Sequence, residues 1–171
     1  MTSDAPTRRT AVVFFVAVFA VLVVVLGALQ MREVRQLGFF VSGSNNTDVI
    51  ATQSFVIDRL EQGCGERGPR KSLARGVLWA WTTYAFALVR GDGFATYLLA
   101  NRAFVFLLVL MIGLIAARVA SWWAGAVAMV LTALTPTVYG HALTFTLDPS
   151  VAAMTAVAIY ALLRSDGYRR W

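Results

Sequence analysis

Two acids and one arginine are the residues best suited to chemistry in a chain otherwise short of polar groups. Asp48 ends the polar stretch Ser42-Gly43-Ser44-Asn45-Asn46-Thr47, Asp148 sits between apolar runs in Leu147-Asp148-Pro149, and Arg102 opens an apolar run in Asn101-Arg102-Ala103. Two carboxylates on one face could divide a group transfer, one deprotonating the nucleophile and the other positioning it or a divalent metal ion. A phosphate leaving group would need only charge stabilisation, for which Arg102, Arg70 and Lys71 are candidates. Each acid also has a local reading. Thr47 or Asp48 can cap a helix over residues 49–60, and Asp148 followed by Pro149 is a helix-start signal. A cap can also be a site residue, so the two readings are compatible.

The elements that must position these residues follow from composition. Of 171 residues 58% are hydrophobic and 14% charged, against roughly 25% charged in an ordinary soluble domain. Too few polar groups remain to cover a globule in water, whereas a bilayer solvates apolar side chains. The expected fold is therefore all-α and membrane-integral. The formal charge of +6 belongs to arginines at the ends of apolar runs, where charge sets topology, and does not point to nucleic acid.

Residues 11–29 carry no charged or polar side chain. As a helix they extend about 28 Å, close to the roughly 30 Å hydrocarbon core. With Arg8 and Arg9 ahead of them they read as a retained signal anchor rather than a cleaved leader. Later candidates are 73–89, 103–117, 122–139 and 149–163. Counting all of them gives five spans and puts Arg164, Arg169 and Arg170 outside the cell. Four spans put these arginines in the cytoplasm with Arg8, Arg9 and Arg118, as the positive-inside rule prefers. Segment 73–89 holds Arg75, Trp79, Trp81 and Tyr84, which suits an interfacial or re-entrant helix better than a span.

The expected order is one membrane domain over 1–171. It has a cytoplasmic tail (1–10), a first span (11–29), a long extracytoplasmic loop with surface helices (31–102) and three further spans (103–163). Both termini are then cytoplasmic, and Asp48 and Asp148 share the outer face. Within the loop, Val49, Val56, Ile57 and Leu60 form one apolar helical face that could lie on the membrane surface. Arg102 and Arg118 can snorkel and lengthen the span between them. Gly113 with Ala117, and Ala124 with Ala128, are spaced for close helix approach. Cys64 and His141, the single cysteine and histidine, read as an inert thiol and a structural or interfacial side chain.

From Asp48 to Trp171 the chain resembles the amino-terminal region of the GT-C glycosyltransferase superfamily, and within it the protein mannosyltransferases and bacterial aminoarabinose transferases. The resemblance lies in the order of loose motifs: Asp48 before the 49–60 helix, the stretch Gly93-Phe94-Ala95-Thr96-Tyr97 leading to Asn101-Arg102-Ala103, a short turn from Arg118 to Trp123, then Leu134-Thr135-Pro136 and Leu147-Asp148-Pro149. Val49 stands where the family carries a second acid after the first, and Arg70-Lys71-Ser72-Leu73 replaces its His-Pro-rich stretch. The resemblance implies a polyprenyl-phosphate sugar donor, transfer outside the cytoplasm, catalytic Asp48 and Asp148, and substrate-binding Arg102. It also implies several hundred residues in a full-length member, so this chain is expected to be the amino-terminal part of such an enzyme or to need a second membrane subunit. The other readings are a small non-enzymatic membrane subunit that packs against a partner protein, and a transporter fragment. The latter would be expected to carry a charge in mid-membrane.

Overall fold

The computed structural model describes residues 5–37, 77–91, 94–143 and 148–165, and every element among them is helical. The six helices are α1 (Ala5–Leu37), α2 (Val77–Arg90), α3 (Phe94–Val119), α4 (Trp122–Leu134), α5 (Pro136–Leu143) and α6 (Asp148–Arg164). The loop around Asp48, the surface helix expected over 49–60, Arg70, Lys71 and Cys64 lie outside the described residues.

Among the described residues two helices are long and apolar enough to cross a membrane: Arg8–Arg32 within α1 and Leu98–Val119 within α3. A third crossing is available if α4 and α5, bent by 64° at their junction, act together. α6 has 17 residues, about 25 Å of helix, just under the hydrocarbon thickness. α2, with 14 residues, reaches only about 21 Å.

Local chemistry explains most boundaries. Gly91 ends α2 with φ +80°, and its N–H donates to the Ala87 carbonyl at 2.8 Å. That left-handed C-cap conformation is one only glycine adopts without strain. The Ser121 hydroxyl starts α4 by accepting from the Ala124 N–H at 3.2 Å. The α4–α5 break follows from Pro136, which lacks an N–H and drives the preceding residue out of the helical region. Thr135 accordingly has ψ 123°, and its hydroxyl donates to the Leu131 carbonyl at 2.8 Å. The apolar segment 122–139, expected as one span, is thus two helices. α6 begins at Asp148 with Pro149 next, as the Asp-Pro signal predicts.

α3 is the hub. It packs along α4, α6 and α2 and more lightly on α5, while α1 lies chiefly against α4. Phe15 and Leu26 of α1, Val109 of α3, and Ala126, Met129 and Ala133 of α4 form the core. On α2, Thr83 and Ala87, one turn apart, are buried while Leu88 and Val89 are exposed. The α3–α4 crossing depends on missing side chains. A Cβ on Gly113 would collide with Met129, and one on Gly125 would come within 2.6 Å of the Gly113 carbonyl and 2.9 Å of Ala117 Cβ. Gly113 and Ala117 therefore serve the close approach expected of them. Their partner on α4 is Gly125, one residue along from the Ala124 of the expected Ala124–Ala128 pair.

Large apolar side chains point away from this core on α1, α4 and α6, among them Val13, Val24, Leu131, Val151 and Ile159. Such a surface is unfavourable in water and ordinary in lipid. The charges sort to the ends. Phe15 stacks edge-to-face on Trp122 and Phe14 lies against Trp123, which brings the start of α1 to the α3–α4 turn. Arg8, Arg9 and Arg118 share that end, and α6 runs toward it with Arg164 in its last turn. Met31, Arg102, His141 and Asp148 gather at the opposite end.

Candidate functional site

α3 begins well before the apolar run that defined it in the sequence. Residues 94–102 continue the same helix, so Arg102 lies within a helix and not in a loop leading to one. It does not snorkel either. Its side chain is 4% exposed, with Nη1 directed at Met31 Sδ of α1, 3.6 Å away. Its Nε and Nη2 atoms are buried and have no hydrogen-bond partner among the described residues. These two nitrogens form the side-on edge of the guanidinium, whose parallel N–H bonds meet two oxygens of one phosphate or carboxylate. Nearby on α1, Gln30 is 1% exposed and its Oε1 likewise lacks a partner among the described residues.

The residue before Arg102 faces another neighbour. Asn101, fully buried on α3, donates from Nδ2 to the His141 carbonyl at 2.7 Å. His141 is in the last turn of α5, and its Nδ1 lies 3.9 Å from Asp148 Oδ2 at the head of α6. Asn101, Val105 and Leu108 follow the i, i+4, i+7 spacing of one helical face. Below the Asn101–His141 contact, Val105 and Leu108 join Val138, Pro149 and Ala152 around a groove of about 190 Å³, with His141 and Asp148 at its rim.

Of the residues singled out in the sequence, Arg102 and Asp148 come to the same end of the bundle, linked through Asn101 and His141. Asp48 lies outside the described residues. The sequence reading missed Gln30 and Asn101 and gave His141 only a structural or interfacial role. The available signals were slight: an amide directly after the 11–29 apolar run, an amide beside the arginine, and a histidine seven residues before the Asp-Pro pair. Among the described residues no three His, Cys, Asp or Glu side chains are grouped as metal ligands.

This arrangement can bind an oxyanion at Arg102 and present a histidine–carboxylate pair beside an apolar groove. No protein-family model matches the chain, no curated protein matches its sequence, and no solved structure matches its fold.

Proposed function

We propose that this chain is a membrane glycosyltransferase, or the amino-terminal part of one. It moves a hexosyl or pentosyl group from a polyprenyl-phosphate donor to an acceptor hydroxyl or amine on the extracytoplasmic face. The observation that carries this reading is the side-on edge of Arg102, buried near the start of the apolar span Leu98–Val119 and unmatched by protein acceptors among the described residues. A buried cation is costly unless an anion compensates it. Four residues inside such a span, the head of a lipid phosphate is an anion within reach. Asp148 at the same end supplies a carboxylate for the nucleophile, and Asp48 supplies the second.

In this reading the arginine end faces the cytoplasm, and α1, α3, the bent α4–α5 pair and α6 make four crossings. The distribution of Arg8, Arg9, Arg118 and Arg164 supports that orientation.

The test is release of polyprenyl phosphate by the chain reconstituted in lipid nanodiscs, supplied with an excess of a simple alcohol or amine as acceptor and, separately, with a polyprenyl-phosphate hexose and a polyprenyl-phosphate pentose. Release from one donor is expected. Loss of a bidentate charged contact is worth about 1.5–3 kcal/mol, so Arg102→Met should raise the donor KM roughly 10- to 100-fold. Absence of release from both donors, together with no binding of either donor by the nanodisc-held chain, sinks the proposal and favours the non-enzymatic subunit.

A further inference from the structure

The last turn of a helix holds carbonyl oxygens that no residue of the helix can satisfy. In α5 the His141 carbonyl is one of them, and Asn101 of α3 reaches it across 40 positions of sequence. A buried amide committed to a backbone carbonyl fixes the position of that backbone more firmly than an apolar contact would. The ring that this backbone carries stands opposite Asp148, which is 73% exposed at the first position of α6. At 3.9 Å the His141 Nδ1–Asp148 Oδ2 pair is longer than a hydrogen bond, as catalytic pairs often are before substrate closes on them. A carboxylate facing Nδ1 selects the tautomer protonated there and makes Nε2, at the far edge of the ring, the basic nitrogen. The apolar groove at whose rim both residues stand gives a substrate group a place to lie beside the ring.

We propose that His141, oriented by Asp148, is the proton acceptor in the transfer, and that Asn101 is the positioning residue that holds it there. This rests on the glycosyl-transfer reading. The acceptor oxygen or nitrogen attacks the anomeric carbon of the sugar, and the bond from that carbon to the phosphate oxygen breaks. The bonding pair leaves with polyprenyl phosphate, and the acceptor's proton passes to His141 Nε2. Asp148 keeps the Nδ1 proton in place and stabilises the imidazolium formed. No atom changes oxidation state, and no further reactant is required.

The chain has one histidine, so [15N]histidine labelling reports this ring alone. In nanodiscs the wild-type chain should show the tautomer protonated on Nδ1. Asp148→Asn should shift it toward protonation on Nε2, and Asn101→Ala should mix the two. A wild-type ring protonated on Nε2, or a spectrum indifferent to Asp148→Asn, overturns the proposal without reference to activity. In the polyprenyl-phosphate release assay, His141→Gln should lower kcat by about 100-fold or more and leave the donor KM within about twofold. Wild-type turnover by His141→Gln would remove the proposal and leave the glycosyl-transfer reading standing. Neither release nor binding of either donor by the wild-type chain would remove both.

Discussion

At the end of the bundle that carries Arg8, Arg9, Arg118 and Arg164, the helices meet through missing side chains and aromatic rings. Gly113, Ala117 and Gly125 let α3 and α4 approach, and Phe14 and Phe15 seat α1 on Trp122 and Trp123. At the opposite end the same helices bury Gln30, Asn101 and Arg102. Close packing of small and aromatic residues stabilises a helical bundle in lipid, where no hydrophobic force draws helices together. Buried amides and a guanidinium do the reverse unless every polar atom is matched. One end is built as if for stability. The other accepts a cost that function would explain.

The largest effect should come from breaking the tight end. Gly125→Leu puts a branched side chain where a Cβ alone meets the Gly113 carbonyl, Ala117 and Phe15. Thermal unfolding in detergent should show a loss of about 3 kcal/mol or more, the upper range for overpacking. A variant as stable as the wild type would mean that α3 and α4 do not cross there.

At the polar end the sign should invert. Arg102→Met keeps an unbranched apolar stem and removes a charge unmatched among the described residues, so stability should rise by about 1–3 kcal/mol while donor binding falls. If the same measurement shows Arg102→Met to be less stable, the guanidinium is structurally satisfied and the contrast between the ends disappears.

The smallest effect concerns the α3–α4 turn. Ser121→Ala removes a single capping bond to the Ala124 N–H and should cost about 1 kcal/mol, with donor release unchanged. A drop in release would show that the two ends are coupled.

Much of the architecture was legible from local pattern. The apolar run ahead of Gln30 and the Asp148-Pro149 start are effects of nearest neighbours, since proline acts on the residues beside it and an apolar run needs no partner to be recognised. The arginines at the run ends were legible for the same reason. The break at Thr135-Pro136 was not, because the apolar run continues through it to Tyr139. Nor was the start of α3. Residues 94–102 mix aromatic, small and polar side chains, so the apolar pattern starts only at Ala103 although the helix starts at Phe94. The site was legible in part. Asp148 and Arg102 could be picked out as charges beside apolar runs, but their environments could not.

The sequence by itself determined that the chain is helical and apolar, where the helices α4 and α6 begin, and which end gathers the arginines, because composition, proline geometry and charge placement act within a few residues. Only the tertiary structure decided that Arg102 is buried instead of snorkelling, that Gly125 and not Ala124 meets Gly113, and that Asn101 holds the backbone of His141 opposite Asp148. Each of these depends on the rotation and register of one helix against another, and a shift of one residue turns a helical side chain by about 100°.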